Sequence, residues 1–303
     1  MRQPEITLEK FHARFRGDTD CQAFLFEMKW PKGFCCPRCA NDTYWEIHHG
    51  SHILYECRKC RHQTSLTAGT IFNHTRLPLW KWLWAIFFVA RDKRGRSALS
   101  LMKELQVNYK SALYVLRRIR SAMVQRDTHY RLKGLSNELD DAFIGGQDRG
   151  KGHFGRGTAQ VPVLVAASLG ADDEYPQFFR MRPVPDLSAD SIKATAPQLI
   201  SEGSIVKTDG WSAYNILDEI GFEHVPVVMK GLPQDAHFRW LHTVISNAKA
   251  FIDGTFHGVS KQHLGEYLDE FCYRLNRRRW EGELFHRLVT ACLGARSLAG
   301  GSG

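Results

Sequence analysis

Glu138-Leu-Asp-Asp-Ala-Phe-Ile144 and, beyond a glycine-rich break, Gln160-Val-Pro-Val-Leu-Val-Ala-Ala-Ser-Leu169 decide the fold. The first is a short strand closed by Gly145-Gly146. The second is a long apolar run, the pattern of a strand central in its sheet after Pro162. Working outward, Gln177-Phe-Phe-Arg-Met-Arg182 reads as a third strand, and Ser188 caps a helix reaching about Ile200. Ser204-Ile-Val-Lys-Thr-Asp209 is a fourth strand ending in Gly210, with a helix from Ser212. Val225 to Met229 is a short fifth strand, and the chain from Arg239 is mostly helical. Between Gly145 and Gly157 the glycines alternate with Arg149, Lys151 and Arg156. No P-loop pattern is present, so this stretch reads as a flexible basic hairpin.

The order βββαβαβα is that of an RNase H-like fold: an α/β domain with a mixed sheet and helices on both faces. Asp140 and Asp209 each lie on or at the end of a strand and precede a glycine-containing turn. Carboxylates on adjacent strands can hold Mg²⁺, a hard cation that takes oxygen ligands, and paired ions serve phosphodiester chemistry. Aspartates beside turns are also simple turn formers, and spacing alone leaves both readings open.

Upstream, Cys36-Pro-Arg-Cys39 and Cys57-Arg-Lys-Cys60 are two hooks with seventeen residues between them. Each hook aims two thiolates at one point, and four thiolates complete the tetrahedral shell of a structural Zn²⁺. The alternative is a pair of disulfides. The segment between them reads as a hairpin, Thr43 to Ile47 and His52 to Glu56. Cys35 adjoins the first hook, while Cys21, Cys272 and Cys292 read as buried thiols. Arg38, Arg58, Lys59 and Arg61 would sit on the ribbon as a rigid basic platform. Leu79 to Arg91 reads as a buried helix. Ser97 to Leu105, a break at Gln106-Val107-Asn108, and a basic helix from Tyr109 to Arg126 suggest a helix-turn-helix. Its outer face is expected to present Lys110, Arg117, Arg118 and Arg120 to DNA, with Leu113, Leu116 and Ile119 inward.

The chain of 303 residues carries 41 Lys/Arg and 32 Asp/Glu, a net charge of +9. Residues 1–134 hold 24 Lys/Arg against 11 Asp/Glu, whereas residues 135–303 hold 17 against 21. The first part is thus a module that seeks a polyanion, with nucleic acid the obvious one. The Arg274, Arg277, Arg278, Arg279 knot reads equally as a phosphate contact or a solvated helix end. No apolar stretch reaches the ~18–20 residues of a membrane span, and the N-terminus lacks the apolar core of a signal peptide. The expectation is a cytoplasmic, nucleoid-associated protein with no membrane partner. The closing Gly300-Gly-Ser-Gly303 reads as a flexible end. Three segments are expected: 1–70 with the zinc ribbon, 71–134 as the helical DNA-binding part, and 135–298 as the sheet domain.

These blocks together resemble the zinc-ribbon insertion-sequence transposases of the ISXO type. The two Cys hooks, Thr64 to Phe72 and Leu77-Pro-Leu-x-Lys81-Trp82 are similar to the family's start. Asp140-Asp-Ala-Phe-Ile-Gly-Gly146 resembles its first catalytic block and Thr208-Asp-Gly-Trp-Ser-Ala-Tyr214 its second. Gly254 to Ser260, His263-Leu264, Tyr267 to Phe271 and Arg274-Leu-Asn-Arg277 resemble the closing block. The resemblance implies a DDE-type enzyme with Mg²⁺ or Mn²⁺ at Asp140 and Asp209. It would cut and join DNA at terminal inverted repeats, and work as a homodimer or higher oligomer on element ends and target. The family places an acid, or a substitute for it, seven residues before a lysine on a helix; here the pair is His242 and Lys249. At about 100° per residue, seven residues return to nearly the same face, while Asn247 faces elsewhere. Asn247 offers the oxygen that Mg²⁺ prefers, so it stays as the alternative, and Glu270 is a weaker one. Asp141 competes with Asp140, but successive strand residues face opposite sides, and the family block selects Asp140. Rival readings are a DNA-binding protein that has lost catalysis and a nuclease that cuts without joining.

Overall fold

The structure is a computed structural model and describes residues 5–50, 52–145, 160–170, 176–227 and 238–296. The expected glycine-rich loop beyond Gly145, the end of the expected strand at Met229 and the Gly300 to Gly303 tail lie outside the described residues. The chain divides into two compact units, one of residues 1–126 with 280–303 and the other of residues 127–279. Among the described residues, no helix is long and apolar enough to cross a membrane.

The first unit opens with α1 (Leu8–Arg14) and α2 (Asp18–Lys29), followed by a three-stranded antiparallel sheet of β1 (Tyr44–His49), β2 (His52–Cys57) and β3 (Gln63–Ser65). Trp30, Phe34, Tyr55 and Leu66 form a small core beneath the ribbon, with Phe26 and Tyr44 packed against it. Lys29 ties down the exit of β3: its ammonium donates to the carbonyls of Ser65, Leu66 and Ala68 at 2.8–3.0 Å. Burial holds this amine down at about 8. Then come α3 (Leu79–Arg91), α4 (Ala98–Leu105) and α5 (Tyr109–Asp127). The hydroxyl of Ser97 caps α4, and Gln106 stops it in the left-handed conformation, φ 49°. The Asn108 side chain then accepts the Ser111 N–H at 2.8 Å and starts α5.

In the second unit, β4 (Asn137–Ile144), β5 (Val161–Leu169), β6 (Pro176–Pro183), β7 (Ile205–Asp209) and β8 (Glu223–Val227) form one sheet in the order β6-β5-β4-β7-β8. The first three strands are antiparallel neighbours, and β7 and β8 join in parallel, as in the RNase H-like fold. The helix α6 (Ala189–Leu199) crosses from β6 to β7, and the single turn α7 (Ile216–Glu219) leads to β8. Val163, Val165 and Ala167 of β5 belong to the core under α8 (Arg239–Phe256) and α9 (Leu264–Leu275), while Leu164 and Ala166 belong to the core under α6. A strand covered on both faces needs apolar residues at every position, which is why this stretch reads as unbroken.

The two compact units divide the chain elsewhere than at the expected 134/135 and 298. The last helix, α10 (Leu284–Gly294), packs into the first unit rather than onto the sheet. Its apolar stripe, Leu284, Phe285, Leu288, Val289 and Cys292, is buried, and Phe285 meets Phe11, Phe15, Phe24 and Phe87 at ring distances of 5.4–6.2 Å. At the other boundary, Asp127 belongs with the sheet unit because Arg277 grips its carboxylate with two nitrogens at 2.9 and 2.6 Å. Leu132 also bridges to Ile200.

Candidate active site and metal centre

Parallel pairing of β4 and β7 puts Asn137 opposite Val206 and Glu138 opposite Lys207. The same register carried on sets Asp140 level with Asp209. Ala142 and Ile144 of β4 lie in the core under α8, and Leu139 lies in the core under α6. Alternation therefore turns Asp140 to the α8 face and Asp141 to the α6 face. Val206 is in the α6 core, so Asp209, three residues on, also turns to the α8 face. From α8, the Nε2 atom of His242 comes within 3.3 Å of an Asp140 carboxylate oxygen. Lys249 is exposed on the same helix, two turns along, and Asn247 is exposed as well. Asp140, Asp209 and His242 are thus brought to one face.

Burial pushes the Asp140 carboxyl above its usual range; the Asp141 N–H and the His242 imidazole draw it back, and the charge of Asp209 adds to the rise. A buried carboxylate repelled by its neighbour gains from a shared cation. The donor oxygens fit a hard divalent ion, and an imidazole as third member suits Mn²⁺ better than Mg²⁺.

Sequence reasoning missed the groups that brace the two aspartates and their neighbours. The Asp141 N–H donates to Asp140 at 2.8 Å, and the Trp211 N–H donates to Asp209 at 3.2 Å. Behind the sheet, the buried Tyr214 hydroxyl points at the Asp141 carboxylate, 3.5 Å away, and the Tyr214 N–H donates to the Trp211 carbonyl. Burial, then the charges of Asp141, Asp140 and Asp209, keep this phenol protonated. The buried Thr208 hydroxyl donates to the Asp209 carbonyl at 2.7 Å, which leaves it to accept from Nε2 of His224 at 2.8 Å. Tyr214 could have been flagged, since it closes the Thr208 to Tyr214 block; nothing in the sequence singles out His224.

Glu270 is buried on α9 and faces Arg274 at 3.6 Å. The arginine knot divides: Arg274 and Arg277 are partly buried, while Arg278 and Arg279 are exposed. Arg277 holds Asp127 and lies 3.6 Å over the Tyr273 ring, and Arg278 donates to the Leu275 and Pro176 carbonyls.

In the first unit, the sulfurs of Cys36, Cys39, Cys57 and Cys60 all lie within 4.8 Å of one another. Cys36 and Cys60, and Cys39 and Cys57, are 3.6 Å apart. Zn–S bonds of about 2.3 Å imply sulfurs roughly 3.8 Å apart in a tetrahedron, so this group could hold zinc; it is too open for disulfides, whose sulfurs sit about 2 Å apart. The two hooks repeat one backbone shape. Ala40 and Arg61 follow them with φ of 58° and 59°, and their N–H groups donate to the Cys36 and Cys57 carbonyls at 2.9 and 3.0 Å. Against burial, the N–H groups of Cys60 and Lys59 bring the Cys57 thiol down to about 6, toward the thiolate a metal needs. Among the described residues, this is the one group of three or more such ligands drawn so tightly together. Cys35 is exposed beside it, and Cys21, Cys272 and Cys292 are buried.

The expected DNA-facing set on α5 divides. Lys110 and Arg117 are exposed. Arg118 and Arg120 are buried, at 8% and 2% exposure, and as placed do not face solvent. The reason lies in the helical wheel: Lys110 and Arg117 are seven residues apart and share a face, whereas Arg118 lies about 80–100° to one side and Arg120 about 60–80° to the other. On one of those sides Arg118 donates to the carbonyls of Ile71 and Asn73.

Residues 131–276 match the ISXO2-like transposase domain, and residues 16–63 match the transposase zinc-ribbon domain. A protein of Halobacterium salinarum, described as an uncharacterized protein in transposable element ISH50, is 27% identical over 270 residues, covering 82% of this chain and 88% of that one. The solved structure of the Mos1 strand transfer complex aligns at 12% identity and a TM-score of 0.29, over 70% of this chain and 78% of that one. The Mos1 mariner paired end complex with Mn aligns at 14% identity and 0.27 over the same shares.

Proposed function

Because the chain belongs with the zinc-ribbon insertion-sequence transposases of the ISXO type, we propose that it cuts and joins DNA at the terminal inverted repeats of a mobile element by DDE-type chemistry. The observation that carries this reading is the convergence of Asp140, Asp209 and His242 on one face, with His242 within 3.3 Å of Asp140. Asp140 and Asp209 would hold Mg²⁺ or Mn²⁺. Ions bound there would supply Lewis-acid stabilisation of the charge that develops during an in-line displacement at phosphorus. His242 orients the Asp140 carboxylate and can hold or pass a proton at Nε2. Lys249, exposed on the same helix, contacts the DNA backbone or the scissile phosphate. In the first step water attacks phosphorus, the bond to the 3′ oxygen breaks, and the proton ends on the freed 3′-hydroxyl. In the second, that hydroxyl attacks a target phosphodiester and releases a target 3′-hydroxyl. Each step exchanges one phosphoester bond without an external energy source. The four cysteines hold zinc, which keeps the ribbon's cations on a rigid platform. Lys110 and Arg117 contact double-stranded DNA, and joining two element ends requires at least a dimer on DNA.

The non-acidic third position, His242, favours one other reading, a DNA-binding protein without catalysis. Incubating the protein with labelled inverted-repeat duplex, a target plasmid and Mg²⁺ or Mn²⁺ separates the readings. Nicked ends and joined products support the transposase. Cuts without joining identify a nuclease, and retarded but intact DNA identifies the inactive binder.

A further inference from the structure

We infer that the first two turns of α5 form the base-reading surface for the element end, with Tyr109, Lys110, Ser111 and Tyr114 at the bases and Arg117 on the adjoining phosphate. The inference rests on the transposase reading and deepens it, because it divides sequence reading from backbone attraction. Four observations support it. First, α5 is buried on the rest of its circumference: Ala112, Val115, Leu116, Arg118, Ile119, Arg120, Ala122 and Met123 all pack inward. What remains outward is the stripe Lys110, Tyr114 and Arg117, together with the first turn. A stripe at i, i+4 and i+7 fits a groove lengthwise.

Second, the stripe carries exposed aromatic area. Tyr109 is 47% and Tyr114 42% exposed, and with Asn108, Lys110 and Ser111 they line a shallow open cleft. Third, Tyr114 is braced. The Arg118 guanidinium, anchored on the Ile71 and Asn73 carbonyls, lies 4.6 Å over its ring. A side chain fixed before binding loses less entropy on docking. Fourth, the partner is set by charge and chemistry. Residues 1–134 hold 24 Lys/Arg against 11 Asp/Glu, so the segment suits a polyanion. The exposed donors match what the major groove offers: Lys for the guanine O6 and N7, a hydroxyl for either base, and a ring face for the thymine methyl. The tight turn at Gln106 to Asn108 and the cap on Ser111 present the N-terminal turns of the second helix, the end that reads bases in a helix-turn-helix.

The test is selection of duplexes from a random pool by the full-length protein and by Lys110→Ala, Ser111→Ala and Tyr114→Leu. The wild type is expected to enrich one motif. Each variant is expected to lose preference, about five-fold or more, at one or two adjacent positions while its binding to unrelated DNA changes less than two-fold. The control Lys59→Ala on the ribbon should weaken binding to every sequence alike and leave the motif intact. If the variants select the wild-type motif unchanged, α5 is not the reader, although the transposase reading stands. If the wild type enriches no motif, both fall. If the variants lose self-association but not base preference, this face seats a second copy of the chain, and the inference is overturned.

Discussion

Replacing Arg118 by alanine should unfold the N-terminal unit more easily and leave the salt dependence of DNA binding by the folded protein unchanged. The side chain is 8% exposed, and its Nη1 donates to the Ile71 carbonyl at 2.5 Å and to the Asn73 carbonyl at 3.2 Å. Ile71 and Phe72 are buried to 1% and 0% exposure, so the Ile71 carbonyl has no ready route to water. A buried acceptor stripped of its donor costs about 1–3 kcal/mol. The second, partly exposed carbonyl adds about 1 kcal/mol, and the stacking of the guanidinium on Tyr114 adds roughly 0.5–1 kcal/mol. The total is on the order of 3–4 kcal/mol, a large share of a domain's usual ~5–15 kcal/mol. Urea denaturation followed by tryptophan fluorescence reads it, since Trp30, Trp45, Trp80, Trp82, Trp84 and Trp280 all lie in this unit. Arg118→Lys, which keeps a donor but loses the fork, should fall between. Stability unchanged within about 1 kcal/mol, together with weaker DNA binding and a salt slope reduced by about one, would refute the reasoning and return Arg118 to the DNA-facing set.

Further expectations concern the ribbon, one buried histidine and the clasp behind the sheet. Stripping zinc with a chelator should unfold residues 30–65 and weaken DNA binding, because two left-handed residues, Ala40 and Arg61, are held in the hooks; unchanged circular dichroism and binding would remove the ribbon's structural role. His286 is buried, with neither ring nitrogen bonded, and burial followed by the charge of Arg14 lowers its pKa below the ordinary 6.5. The unfolded chain therefore takes up the proton first. Stability of this unit should decline as pH falls below 6.5 toward the lowered value, and His286→Phe should flatten that decline in denaturation at a series of pH values. Tyr214→Phe keeps the ring but removes the hydroxyl facing Asp141. It should slow cleavage several-fold and leave DNA affinity intact, so an unchanged rate would free Tyr214 of a positioning role.

What could be read in advance was set by short-range rules. Two Cys hooks and their spacing demand a common point, and the four sulfurs meet there. The apolar run at Gln160 to Leu169 demands cover on both faces, and β5 lies inside the sheet between β6 and β4, covered on both faces. What escaped depends on partners distant in sequence. Nothing local to Leu284–Gly294 says that its apolar stripe fits Phe11, Phe15, Phe24 and Phe87 rather than the sheet it follows. Basic residues on α5 look alike until the angle of each is set against the segment it packs on. Arg118 is claimed by Ile71 and Asn73, 47 and 45 residues away. The clasp from Asp141 to Tyr214 spans 73 residues, and an aspartate facing away from a candidate site carries no sequence mark of its purpose.

The central claim is that Asp140 and Asp209 together hold the ions that cut DNA. The direct measurement is first-strand cleavage of a labelled inverted-repeat duplex in Mg²⁺ and in Mn²⁺ by Asp140→Asn, Asp209→Asn and the double variant, with DNA affinity measured alongside. Each single variant should bind DNA like the wild type and lose cleavage by at least a thousand-fold, and the double should be no worse than either, as expected of groups acting as one unit. Cleavage retained by either single variant, with binding intact, would contradict the account.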